Sequence, residues 1–154
     1  MTGFQIQPLV EKNKDEWRAL FEGYAEFYKV PMDDTIADTV WGWLLDSDHV
    51  LEGYLARDAG GKAIGIVHIR ACPDPLGGCE IGFLDDMYVV PEYRGSGVAD
   101  DLFETLRKHA AVRGWPEIHW ITQHFNKRAR AFYDRYTSGP SEFILYSWEQ
   151  DASY

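Results

Sequence analysis

The stretch Phe83-Leu-Asp-Asp-Met-Tyr-Val-Val-Pro-Glu-Tyr-Arg-Gly-Ser-Gly-Val-Ala-Asp100 constrains the fold more than any other part of the chain. Its β-prone residues through Val90 predict a strand, and Pro91, which has no N–H for a ladder, ends it. Gly95 and Gly97 permit a tight turn, after which Val98, Leu102, Phe103, Leu106 and Ala110 form one stripe of a helix that stops at Gly114. A strand that passes through a glycine turn straight into a helix leaves bare amides at the positive end of that helix. Such a turn can seat a phosphate.

The rest of the chain reads as alternating strands and helices without repeats or low-complexity tracts. Phe4 to Leu9 is a short first strand. Asn13, followed three residues later by Glu16, predicts a helix start of the capping-box kind. Trp17, Leu20, Phe21, Tyr24, Phe27 and Tyr28 recur at steps of three and four, so the helix is amphipathic, and it ends before Pro31. A second helix runs from Asp34 to about Asp46, with Ile36, Val40, Trp43 and Leu44 as its apolar side. Val50 to Arg57 and Ala63 to Ala71 form a hairpin around Asp58-Ala-Gly-Gly-Lys62, and a loop from Cys72 to Gly78 leads into Glu80 to Val90 as a third antiparallel strand. Ile118 to Thr122 predicts a strand, Asn126 to Tyr136 a helix, and Phe143 to Trp148 a final strand. The order predicts an α/β fold: one domain over residues 1–154, core about 4–148, with a mixed, mostly antiparallel central sheet flanked by helices.

Composition narrows the partners. Fifteen Lys and Arg against 25 Asp and Glu give a net charge of −10, which excludes the broad basic face that nucleic-acid binding requires. No apolar run is long enough for a membrane helix, and the N-terminus lacks the basic start and apolar middle of a signal peptide, so the expected setting is cytoplasmic. Cys72 and Cys79 are too few for a disulfide framework or a zinc site and read as two reduced thiols. No metal is expected.

The glycine turn discriminates among phosphate-binding loops. A P-loop needs Gly-Lys-Ser/Thr at the helix start, where Val98 and Ala99 stand after Gly97. A dinucleotide fingerprint needs a third glycine where Asp100 stands. What remains is Arg94-Gly-Ser-Gly97-Val-Ala99 behind Asp86-Met-Tyr-Val-Val-Pro-Glu-Tyr93. This resembles the acyl-CoA pyrophosphate loop of the Gcn-related N-acetyltransferases, the GNAT superfamily. Asn126-Lys-Arg-Ala129-Arg-Ala-Phe132-Tyr133 is a second match, to a motif that superfamily often carries on its penultimate helix. Asn126, Ala129 and Tyr133 fall on one helical face. Within the superfamily, Trp17-x-x-Leu20 through Tyr24-Ala-Glu-Phe-Tyr28, together with Ile118 to Thr122, is similar to fungal Hpa-type enzymes. Asp85-Asp86 looks like the Glu-Asp pair of spermidine/spermine acetyltransferases. One departure is the glycine after the tyrosine helix, delayed here to Gly139, which leaves the shape of loop 137–142 open.

The resemblance implies a direct transfer from acetyl-CoA to a primary amine. Met87, Tyr88 and Val89 would border the pantetheine, with main-chain groups of Met87 and Val89 pairing its amides. Backbone amides from Gly95 through Ser96, Gly97, Val98 and Ala99 would hold the pyrophosphate, with Arg94 assisting, and Asn126 would bond the pantetheine arm. Tyr133 would give a proton to the departing thiolate. The favoured proton acceptor is Asp85 through a water, with Asp86 as the runner-up; strand alternation is expected to send these two to opposite faces. Glu26, Tyr28 and Asp86 are candidates for the acceptor side, where acidic and aromatic groups suit a cation such as a polyamine or amino acid. His68, His119 and His124 are weaker candidates for a base, and ring positions on the first helix also serve as core. A protein lysine tail as acceptor, a non-catalytic acyl-CoA sensor, and a homodimer through the last strand are the further readings the resemblance leaves open.

Overall fold

The computed structural model describes residues 3–151, whose contacts divide into two compact units, Met1–Ile121 and Thr122–Tyr154. The first unit holds one sheet in the order β1-β2-β3-β4-β5: Gln5–Pro8, Leu51–Arg57, Ala63–Asp74, Cys79–Val89 and Ile118–Trp120. Neighbours β1 to β4 pair antiparallel and β5 joins β4 in parallel, so the sheet is mixed and mostly antiparallel, as expected.

Helix α1 (Lys14–Phe27) and α2 (Asp34–Leu45) cover one face of this sheet, and α3 (Val98–Arg113) contacts β4, β3 and β1. On the α1 face, Trp17, Leu20 and Phe21 pack with Ala37 and Trp41 of α2 and with Leu55 and Ile66 of the sheet. Trp17 is fully buried, its ring 4.9 Å from those of both Phe21 and Trp41. All five residues of the α3 stripe, Val98, Leu102, Phe103, Leu106 and Ala110, are buried, and Gly114 caps the helix with φ +71°. The Asp33 carboxylate caps α2 by accepting from the Ile36 amide at 2.8 Å.

Several local expectations are corrected. The Asn13 side chain does not cap α1. Its Oδ1 accepts from the Val10 amide, stabilising the short 3₁₀ turn Glu11–Asn13, and Glu16 pairs with Arg57 on β2. In α2 the buried face is centred on Ala37 and Trp41, and Ile36 and Trp43 are exposed, because small Ala37 admits closer packing than the larger side chains beside it. The hairpin ladder runs on through Cys72 to Asp74, which pairs with Cys79, so the loop between β3 and β4 shrinks to four residues. Both thiols are free.

The second unit contains α4 (Lys127–Asp134), one turn shorter than expected. Phe143 to Trp148 form no strand: Phe143, Ile144, Leu145, Tyr146 and Trp148 are almost fully exposed. High β-propensity makes a strand only where a partner edge completes its ladder, and here none does. Among the described residues no helix is long and apolar enough to cross a membrane.

Candidate active site

The register of β3 and β4 organises the site. His68 pairs with Asp86 and Ile69 with Leu84, so Asp85 is an extra residue on β4, a β-bulge. The bulge overturns the expectation that the two acids face opposite ways. Phe83 sits opposite Arg70, and Asp86 opposite His68; Arg70 and His68 share one face of β3. Asp85 accepts from Arg70 Nε at 2.8 Å, and Asp86 lies 2.8 Å from His68 Nδ1 through Oδ2. Both carboxylates therefore engage partners on the face that α1 covers. Were Asp85 a regular ladder residue instead of a bulge, alternation would have sent Asp86 to the α3 face.

Their surroundings differ. Burial pushes the Asp85 carboxyl above the usual Asp value, an effect the Arg70 guanidinium opposes but does not cancel. Arg70 also lies over the Phe83 ring at 4.6 Å, which anchors the cation. Asp86 keeps about a quarter of its side chain exposed, beside a fully buried His68. Its charge reaches Tyr28, whose phenol is pushed up first by burial and then by Asp86. The Tyr28 ring stands edge-on to Tyr24 at 5.0 Å, and Tyr24 in turn to Tyr88 at 6.3 Å. Tyr88 shares the Asp86 face of β4, and its hydroxyl lies over Gly23 of α1, where an added Cβ would stand only 2.7 Å from it. Glu26 is exposed on the last turn of α1.

The same bulge accounts for an open edge. β4 pairs with β5 from Gly82 to Leu84 and no further, since the bulge bends the strand at the next residue. Beyond it, the Val90 amide donates to the Ile64 carbonyl at 2.9 Å. That bond makes Gly65–Val89 a non-hydrogen-bonded pair, so the main-chain groups of Met87 and Val89 point away from β3. This is the arrangement an added strand-like ligand requires.

Pro91–Tyr93 forms a 3₁₀ turn, and the Tyr93 hydroxyl donates to Asp58, which also accepts from the Gly60 and Lys62 amides. The β2–β3 hairpin thereby braces the glycine turn. Gly95 and Gly97 have φ of +81° and +97°, and no atom lies within 4 Å of where a Cβ would stand on either. Gly97 is the N-cap of α3, so the amides of Val98 and Ala99 are left at its positive end, and the Ser96 hydroxyl donates back to the Tyr93 carbonyl. The turn fits a pyrophosphate in backbone and in space. The Arg94 side chain folds back: its Nε donates to the Val89 carbonyl, and its guanidinium lies over Phe27 and Tyr88 at 5.3 and 5.9 Å.

In the second unit, Asn126 caps α4 by accepting from the Ala129 amide at 3.2 Å. Tyr133 is half-buried at the penultimate position of α4, and Thr137 Oγ1 donates to its carbonyl and accepts from the Gly139 amide. His119 is exposed and bonded to Glu117, and His124 is exposed beside Phe125. Among the described residues no cluster of His, Cys, Asp or Glu could hold a metal ion.

Three partnerships escaped the sequence, Arg70 with Asp85, His68 with Asp86, and Trp17 with His68. Trp17 and His68 are 51 positions apart, and only the ladder and the seating of α1 bring them together.

Comparison with known proteins places the family and the fold. Residues 14–137 match the model of the acetyltransferase (GNAT) family. The D-amino-acid N-acetyltransferase HPA3 of Saccharomyces cerevisiae is 30% identical over 131 residues, 84% of this chain and 81% of the yeast protein. A ribosomal-protein-alanine N-acetyltransferase from Brucella melitensis superposes with a TM-score of 0.80 at 25% identity, over 96% of this chain and 99% of that one. An aminoglycoside N-acetyltransferase in complex with CoA shares the fold, with a TM-score of 0.82 at 20% identity, covering 96% of this chain and 95% of the other.

Proposed function

The chain belongs to the GNAT acetyltransferase family and is an acetyl-CoA-dependent N-acetyltransferase; from that premise we propose that its acceptor is a small cationic primary amine of the amino-acid or polyamine kind. The observation that carries this reading is Asp86 on the α1 face beside Tyr28, with Tyr24 and Tyr88 completing an aromatic wall. A carboxylate next to phenol faces attracts an ammonium group and then competes for its proton. The name of the yeast relative, a D-amino-acid acetyltransferase, supports an acceptor of this size.

An alkylammonium of pKa roughly 10 is neutral in only about one part in a thousand at pH 7, so its proton must leave before the nitrogen can attack. Asp86 is the group we assign to accept it. Asp85 is held by a permanent guanidinium, whereas Asp86 is tethered at one oxygen and borders the tyrosines. The nitrogen lone pair then adds to the thioester carbonyl, the tetrahedral oxyanion collapses, and the C–S bond breaks. The proton that completes the CoA thiol is assigned to Tyr133 on the family motif, a phenol and a thiol being close enough in pKa for that exchange. The balance is ammonium plus acetyl-CoA giving amide, CoA thiol and one proton, so no cysteine nucleophile enters.

Support for the cofactor side comes from the outward main-chain groups of Met87 and Val89 and from the open turn of Gly95 to Ala99. Thiol release measured side by side with D-amino acids, lysine, spermidine, an aminoglycoside and a histone-tail peptide tests the acceptor. Fastest kcat/KM with a free amino acid or polyamine is expected. Preference for the peptide would replace the reading with protein lysine acetylation, and binding of acetyl-CoA without thiol release on any amine would make the chain a sensor.

A further inference from the structure

His68 is fully buried in the middle of β3, and the reaction as written does not use it. Its Nε2 lies 2.9 Å from Trp17 Nε1, and its Nδ1 lies 2.8 Å from Asp86 Oδ2. An indole nitrogen only donates, so Nε2 must be bare and accept. The single ring proton is then on Nδ1 and is donated to Asp86. A doubly protonated ring would set an N–H against the indole N–H, and a flipped ring would lose both bonds. Packing holds the chain of donors in place: Phe21 meets the His68 ring edge-on at 5.3 Å, and Trp17 is clasped between Phe21 and Trp41.

We propose that His68 is a positioning residue for Asp86, with Trp17 fixing its tautomer. Tethering Oδ2 removes the free rotation of the carboxylate and presents Oδ1 in one orientation to the acceptor. A proton acceptor held in line with its donor gains through geometry alone, and misplacement of about 1 Å can cost two orders of magnitude. The inference rests on Asp86 as the proton acceptor, and the experiment separates the two.

In wild-type protein labelled with ¹⁵N-histidine, a spectrum correlating ring nitrogens with ring protons should show His68, identified by its loss in His68→Asn, as the Nδ1–H tautomer. An Nε2–H pattern overturns the proposal. His68→Leu removes the donor and should lower kcat at least about tenfold with an unchanged KM for acetyl-CoA, whereas His68→Asn, which keeps an N–H at the δ position, should recover most of that loss. Asp86→Asn should lower kcat about a hundredfold or more, and His68→Leu should add nothing in that background. Wild-type kcat in Asp86→Asn would refute the base assignment. A deficient Asp86→Asn beside a fully active His68→Leu would refute only the positioning role. If His68→Leu does not fold, Trp17→Phe keeps an aromatic ring but removes the indole N–H that anchors His68 Nε2; it should lower kcat with an unchanged KM for acetyl-CoA, and unchanged kcat overturns the proposal.

Discussion

Replacing Arg70 by Met would expose how much the site depends on one cation. Asp85 is about 28% exposed and burial pushes its carboxyl upward, so in the folded protein its charged form is stabilised chiefly by Arg70. The Met stem preserves apolar packing on Phe83 and removes the guanidinium. A charge-assisted hydrogen bond contributes about 1.5–3 kcal/mol, and because Arg70 is itself 37% exposed, solvent screening reduces the expected loss to about 1–2 kcal/mol near neutral pH. For a domain of this size that is a fall in Tm of roughly 2–8 °C. The sign with pH follows from the direction of the shift. An acid whose folded pKa is raised is penalised in its charged form, so its cost to stability is present at neutral pH and disappears as the pH falls through the folded value towards the ordinary Asp value of about 3.9. Without Arg70 that cost grows, and the deficit of the variant should shrink by at least half between pH 7.5 and pH 4. Only the lost cation–π contact, about 0.5 kcal/mol, stays independent of pH. Calorimetric unfolding of both proteins at half-unit pH steps is the assay. A deficit of constant size, or none at pH 7.5, would refute the account of Asp85.

Gly97→Asp should abolish acetyl-CoA binding by calorimetric titration, since it adds an anion at the pyrophosphate seat and a side chain at φ +97°; retained affinity would argue against the turn as that seat. Tyr133→Phe should cut turnover about tenfold or more with little change in acetyl-CoA affinity, and an unchanged kcat removes the phenol from the mechanism. If the −10 charge steers cations to the acceptor side, kcat/KM for spermidine should fall steeply between 0.05 and 0.5 M salt (roughly a Debye length of 14 to 4 Å), while that for a zwitterionic amino acid falls little; parallel slopes would leave the charge a matter of solubility.

What could be read from residues alone was whatever is local. The α3 stripe and the strand–turn–helix around Gly95 and Gly97 depend on neighbours within a few positions, and they stand as expected. Alternation misplaced Asp86 because a bulge is a property of two strands, and β4 alone gives no sign of which residue its partner skips. His68 looked like one weak base among three histidines because its two partners come from α1 and β4. The run from Phe143 to Trp148 has the composition of a strand, but composition does not supply the edge it would pair with.

The bulge at Asp85 is an insertion that the ladder absorbs. With Leu84 opposite Ile69 and Asp86 opposite His68, excision of Asp85 would leave an uninterrupted register, and every later residue of β4 would keep its face. The number of acids on the face that α1 covers is therefore adjustable without disturbing the rest of the strand. The same residue bends β4 where its pairing with β5 stops, so straightening the strand would also extend that pairing towards Met87 and Val89 and close that edge. One added amino acid thus couples two structural properties: a second carboxylate on the face that α1 covers, and an unpaired edge of β4 at Met87 and Val89.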